Sequence, residues 1–159
     1  MKKETIYIEN YPHNNMVKEI YQQIPNIMFR DEPLRVIMHY LSLGRHDEIF
    51  DKSGPYIEFF PSGKVKEIAS YYGEDLNNQK GSYREFDESG KVIKDVTNKY
   101  SPLPSQENLP DQMVKIIKSK KLWDSVIQAF NASQETRSSK AITRRKERSS
   151  VRQKRTKTR

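Results

Sequence analysis

Tyr56-Ile57-Glu58-Phe59-Phe60-Pro61-Ser62-Gly63-Lys64-Val65 is answered twenty-seven residues later by Tyr83-Arg84-Glu85-Phe86-Asp87-Glu88-Ser89-Gly90-Lys91-Val92. The shared frame is Tyr-x-Glu-Phe-x-x-Ser-Gly-Lys-Val. An aromatic strand runs into a Ser-Gly turn and a second strand leaves it, so each copy reads as a β-hairpin with its turn at Ser62-Gly63 or Ser89-Gly90. A two-residue Ser89-Gly90 turn sets Glu88 opposite Lys91, Asp87 opposite Val92, Phe86 opposite Ile93, Glu85 opposite Lys94, Arg84 opposite Asp95 and Tyr83 opposite Val96. That register makes opposite-charge and apolar pairs worth about 0.2–1 kcal/mol each, and a one-residue slip destroys most of them. In the earlier hairpin it pairs Phe60 with Val65 and Ile57 with Ile68. It also opposes Glu58 to Glu67, which leaves a bulged turn open there.

Upstream, Tyr7-Ile8-Glu9-Asn10-Tyr11-Pro12 repeats the incoming strand in weaker form, and Met16-Val17-Lys18-Glu19-Ile20 repeats the outgoing one. Asn14-Asn15 stands at the turn, with one extra residue upstream, and asparagine tolerates a positive φ. Over residues 27–41, Phe29-Arg30-Asp31-Glu32-Pro33 followed by Leu34-Arg35-Val36-Ile37-Met38-His39-Tyr40 could be a further hairpin turning at Glu32-Pro33. A helix over Leu34–Leu43 competes, and repeat logic favours the strand. Leu43–Pro55 and Tyr72–Gly81 read as exposed polar connectors.

Downstream, the prolines of Ser101-Pro102-Leu103-Pro104-Ser105 make 101–110 a linker. Met113, Ile116, Ile117, Trp123, Val126, Ile127 and Phe130 recur at three- and four-residue steps, predicting one amphipathic helix over 111–131. Its expected role is packing on the open face of the sheet; a partner-binding helix is the alternative.

The chain has 159 residues, 34% of them hydrophobic, a low share for a fully globular protein. No cysteine is present, which excludes a disulfide framework and thiolate metal sites and fits an intracellular, reducing compartment, cytoplasmic or with nuclear or nucleoid placement. Met1-Lys2-Lys3-Glu4-Thr5 leads into no apolar run, so no signal peptide is expected, and no transmembrane segment. Of 29 Lys/Arg and 21 Asp/Glu, 11 and 2 fall between Gln134 and Arg159, a local charge of +9; the remaining 18 and 19 leave the body at −1. With only Ala141, Ile142 and Val151 apolar over 134–159, residues 132–159 are expected to be a disordered basic tail.

The hairpin frame resembles the MORN-type repeat, in particular the variant of the YwqK-like bacterial family that carries an antitoxin label. Gly54-Pro55-Tyr56-Ile57-Glu58-Phe59 with Ser62-Gly63-Lys64-Val65 carries the likeness, as does Gly81-Ser82-Tyr83-Arg84-Glu85-Phe86 with Ser89-Gly90-Lys91-Val92; residues 6–41 match weakly, lacking glycine at both turns. The resemblance implies a meander of hairpins that serves as a binding scaffold for proteins or lipid head groups, with no catalytic residues to carry over. The expected fold is therefore mainly β: MORN-like hairpins over 1–100, then the linker, one helix and the tail.

Catalytic chemistry finds no support. His13, His39 and His46 lie on separate elements, Gly63-Lys64 lacks the rest of a phosphate loop, and neighbouring carboxylates in strands point to opposite faces. No cofactor or metal is expected. The aromatics could stack bases, but with Glu58, Glu67 and Glu85 beside them cross-strand packing is the better reading. The basic tail is the strongest signal. Arg144, Arg145, Lys146, Arg148, Arg152, Lys154, Arg155, Lys157 and Arg159 offer phosphate contacts to nucleic acid or another polyanion, without an aromatic to read bases. The alternatives are an antitoxin-like or adaptor protein that binds a protein partner through the sheet face, with the tail as a nuclear-localisation-like, membrane-surface or solubilising segment.

Overall fold

The computed structural model of the chain describes residues 5–26, 29, 31–46, 50–72 and 79–132. Six strands form one antiparallel sheet in sequence order: β1 (Thr5–Asn10), β2 (Val17–Pro25), β3 (Phe50–Phe59), β4 (Val65–Tyr71), β5 (Lys80–Phe86) and β6 (Val92–Val96). The helix α1 (Leu34–Ser42) lies between β2 and β3, and α2 (Asp111–Ser119) follows a short 3-10 turn at Gln106–Asn108. A further helical run, α3, covers 123–132.

The turns differ from the two-residue reading in a consistent way. Gly90 N donates to Asp87 O and Asp87 N to Lys91 O, both at 2.9 Å, so the loop is the three residues Glu88-Ser89-Gly90 with Gly90 at φ 86°. Phe60, Gly63 and Lys64 repeat this geometry, with Gly63 at φ 82°. A three-residue loop whose last member is left-handed is the form that suits Ser-Gly at these positions. The first turn is one residue longer, closed by Tyr11 N donating to Met16 O, with Asn15 at φ 52° and Asn14 Oδ1 accepting from Met16 N. The extra residue and the turn role of Asn14-Asn15 are thus as the sequence indicates.

Each outgoing strand then carries a bulge. Phe59 pairs with Val65 and Phe86 with Val92, where Phe60↔Val65 and Phe86↔Ile93 were expected; the expected Asp87↔Val92 and Glu88↔Lys91 pairs are displaced with them. One residue later the expected register returns: Ile57↔Ile68 and Glu58↔Glu67, and Tyr83↔Val96, Arg84↔Asp95 and Glu85↔Lys94. The residue left over is Lys66 in β4 and Ile93 in β6, and Lys18 holds the same place in β2. Strict alternation would put Val65 and Ile68, three apart, on opposite faces. The bulge puts both on the same face.

On that face the pairing lines up Ile8, Ile20, Ile57 and Ile68 across four strands, continued by Arg84 and Asp95. Phe59, Val65 and Phe86 form the next layer, and Met113, Ile117, Leu122, Val126 and Ala129 of the helical segment close over both to make the main core. The predicted continuous helix over 111–131 is instead two helices. Leu122 N donates to Ile117 O and Lys121 N to Lys118 O, both at 3.0 Å, around Lys121 at φ 59°. This paired closure ends a helix and leaves the next apolar residue to pack. An unbroken helix would aim Lys120 and Asp124 at the core; the break resets the phase so that Leu122 and Val126 are buried instead.

The segment Leu34–Leu43, read as a strand, is the helix α1. Two causes decide it. Pro33 at φ −58° starts the helix, its carbonyl accepting from Val36 N. And β2 pairs directly with β3, out to Pro25↔Phe50, so no gap is left between them for a further strand. Among the described residues the array has three hairpins, not four. Helix α1 ends with Arg45 N donating to Tyr40 O and Gly44 N to Leu41 O, Gly44 being left-handed. Leu34 and Met38 are exposed on its outer side.

Candidate functional site

The Tyr-x-Glu step of the frame places a tyrosine and a glutamate on the sheet face opposite the helices. Because the strands are in register, these residues form rows. Glu9, Glu19, Glu58, Glu67 and Glu85 stand directly opposite one another across β1 to β5, and Lys94 of β6 ends the row. Beside it run Tyr7, Tyr21, Tyr56, Ala69, Tyr83 and Val96.

Five carboxylates facing one another are repulsive unless each is compensated. Each one has its own lysine: Glu9 with Lys18 at 2.9 Å, Glu19 with Lys52 at 3.4 Å, Glu58 with Lys66 at 2.7 Å, Glu67 with Lys80 at 2.6 Å and Glu85 with Lys94 at 3.9 Å. Two of these cations, Lys18 and Lys66, are the bulged residues, so the irregularity that aligns the isoleucines also supplies counter-charge to the glutamates. The hydrogen bond to Glu9 raises the Lys18 ammonium above its ordinary range, and that from Lys18 holds the Glu9 carboxyl below its own. Glu58 raises Lys66 in the same way. Lys94 is raised by Tyr83 first and Glu85 second.

The rings pack on one another. Centroids lie 5.0 Å apart for Tyr7 and Tyr21, 6.2 Å for Tyr21 and Tyr56, and 5.4 Å for Tyr56 and Tyr71. Lys52, which the sequence reading did not single out, places its ammonium 4.7, 4.6 and 5.7 Å from the centroids of Tyr21, Tyr56 and Tyr71. Such contacts are worth about 0.5–1 kcal/mol when exposed and about 2 when desolvated. The Tyr56 hydroxyl donates to Glu19 Oε2 at 2.7 Å, and burial together with that bond pushes its pKa far up. Burial, reinforced by Glu67, Glu19 and Glu58, pushes Tyr71 up to about 12. With Tyr21 and Tyr56 buried, this is a packed, charge-compensated layer rather than a row of open rings for bases, in keeping with the cross-strand reading.

Near the tips of the second and third hairpins the same face opens into a groove of about 530 Å³. Glu58, Glu67, Glu85, Asp87 and Glu88 line it, with Ile93 and Lys66 among the other walls. Asp87 has a structural duty there: its Oδ1 accepts from Ser89 N, Ser89 Oγ and Lys91 N, and these bonds hold its carboxyl below the ordinary range.

The tail residues Arg144, Arg145, Lys146, Arg148, Arg152, Lys154, Arg155, Lys157 and Arg159 lie outside the described residues. The turn residues Asn14, Asn15, Ser62, Gly63, Ser89 and Gly90 sit at the three hairpin tips. His13 and His39 are on the first turn and on α1, while His46 stacks on Tyr7 at 4.2 Å. Among the described residues no group of three or more His, Asp or Glu could hold a metal ion, and no helix is long and apolar enough to cross a membrane. No protein-family model, curated protein or solved structure matches the chain.

Proposed function

We propose that the chain is a non-enzymatic scaffold, a MORN-like hairpin array whose Lys/Arg-rich C-terminal segment contacts nucleic acid or another polyanion. The observation that carries this reading is the partition of charge: +9 between Gln134 and Arg159 against −1 for everything before it. Releasing condensed counterions from phosphates is the driving force open to such a segment. The sheet supports the assignment by contrast. Its aromatic face carries a carboxylate on five adjacent strands, each already matched by a lysine, so none of those five lysines is left over for a phosphate backbone. The recurrent turn-and-bulge of all three hairpins supports a repeat array as the scaffold.

The test compares the full chain with a full-length variant in which the nine cations from Arg144 to Arg159 are glutamine, on duplex DNA and on RNA across a salt series. The expected result is binding by the natural chain alone, with a log–log slope on duplex DNA as steep as about −8 if all nine engage at ~0.9 per phosphate. Equal binding by both, or none by the natural chain at low salt, overturns it. The second reading, a protein partner on the sheet face, is favoured by the acidic groove at the hairpin tips, which suits a basic peptide. Partner capture that survives the glutamine substitutions and fails in Glu85→Lys would select it.

A further inference from the structure

The row of isoleucines on the helix-covered face is interrupted in one hairpin only. Arg84 occupies the place that Ile57 holds in the preceding repeat, and Asp95 the place of Ile68. Arg84 is 2% exposed, and its Nη2 donates to Asp95 Oδ2 at 2.6 Å, while its Nε finds no acceptor among the described residues. A guanidinium carries five N–H donors, and of these the buried Nε–H is left unused. An ion pair whose cation is buried where the neighbouring strands carry isoleucine is a poor stabiliser, because desolvation of Arg84 offsets the attraction.

Arg84 lines a cleft of about 260 Å³ between the sheet, the linker and the end of α3. Its polar walls include Ser82, Arg84, Ser105 and Asn131, and Leu103 and Phe130 supply apolar surface. The rim is anchored: Ser82 N donates to Ser101 O at 2.9 Å, Ser101 Oγ to Ser70 Oγ at 3.0 Å, and Ser82 Oγ accepts from Asn98 N at 2.6 Å.

We propose that this cleft binds a small molecule bearing one carboxylate, which takes the guanidinium of Arg84 from Asp95. Asp95 is the placeholder. It sits on the edge strand with its side chain 27% exposed against 3% for Arg84, so it rehydrates when displaced, whereas Arg84 has nowhere to go. The planar guanidinium fork matches a carboxylate in two parallel bonds. A phosphate dianion would bring a second charge into a cleft that holds one cation. The volume is below the ~300–1,000 Å³ of drug-sized sites. That favours an aromatic or short aliphatic acid, with its body against Leu103 and Phe130, over a nucleotide. The proposal is independent of the tail.

The experiment titrates the full chain with benzoate, acetate and inorganic phosphate at constant ionic strength, following the Arg84 Nε–H resonance. Benzoate is expected to give a saturable shift, and Asp95→Asn, which removes the competing carboxylate, to tighten it on the order of tenfold. Arg84→Met, a side chain suited to the isoleucine row, keeps the fold and loses saturable binding, read from the resonances of Leu103 and Phe130. Arg84→Lys, which keeps charge and loses the fork, binds more weakly than the natural chain. The proposal is overturned if benzoate fails to saturate both the natural chain and Asp95→Asn, if phosphate binds as well as benzoate, or if Arg84→Met or Arg84→Lys binds unchanged.

Discussion

The second and third hairpins carry one ten-residue frame in different surroundings. Both turn on a left-handed glycine, bulge one residue after the valine and bury a phenylalanine. The second lies in mid-sheet with helices over it, and its bulged residue is Lys66, paired to Glu58. The third forms the sheet edge. Four of the five residues of β6 are exposed, Lys94 and Asp95 charge the strand centre, and the bulged residue is Ile93 at 61% exposure. Charges on an edge strand discourage pairing with another chain. The same local rules therefore build both hairpins, and position in the array decides how much energy each position carries.

Truncating the two cores should show the largest contrast. Phe59→Ala removes a fully buried ring and is expected to cost about 3–5 kcal/mol in chemical denaturation. Val92→Ala, at the half-buried position of the edge strand, should cost about 1 kcal/mol or less. Similar losses would mean that the third hairpin is as deeply integrated as the second.

The Arg84–Asp95 pair gives the next contrast. Asp95→Ala leaves a buried guanidinium without its partner and should cost about 1–3 kcal/mol, less than the roughly 3–5 of a fully buried pair because water reaches that position. Arg84→Ile with Asp95→Ile restores the row of the second hairpin, and its expected outcome is neutral to about 1–4 kcal/mol more stable. A double variant weaker than Asp95→Ala would show that the pair holds the edge in place.

The turn glycines separate conformation from packing. Gly90→Ala meets open space, so its cost is that of a left-handed alanine, about 1–2 kcal/mol. At Gly63 the added Cβ lies 3.3 Å from Leu122 Cδ2, which should add roughly 1 kcal/mol, the low end of overpacking. Equal costs would show that the break between α2 and α3 gives way.

The smallest effect belongs to Asp87. Its folded carboxyl is held below the ordinary 3.8 by Ser89 and the Lys91 amide. A depressed carboxylate stabilises the fold fully above its unfolded pKa and loses that contribution as pH falls through the folded value. Stability of the natural chain should therefore decline below about pH 4 more steeply than that of Asp87→Asn. Parallel acid limbs would remove Asp87 from the turn's stability.

Much of this was legible residue by residue. The Tyr-x-Glu-Phe frame, the turn asparagines and glycines, and the outer pairs Arg84↔Asp95 and Glu85↔Lys94 all follow from local chemistry and strand alternation. The bulges were harder to read, although the spacing Val65 to Ile68, odd within an alternating strand, marks one. The break at Lys121 was also written in the chain, as lysines where an unbroken helix needs apolar residues. Arg84 could have been noticed as the one departure from Tyr-Ile-Glu, but its burial depends on a linker passing over it.

The sequence by itself determined a repeating hairpin meander, a neutral body and a basic terminus, because turn preferences, period-two alternation and charge counts act over a few residues. Tertiary structure alone decided that Leu34–Ser42 is a helix, that five glutamates meet in one row with five lysines, and that Arg84 borders a cleft. Each of those depends on which strands become neighbours and what covers them. Pairings between residues distant along the chain are set by the packed whole.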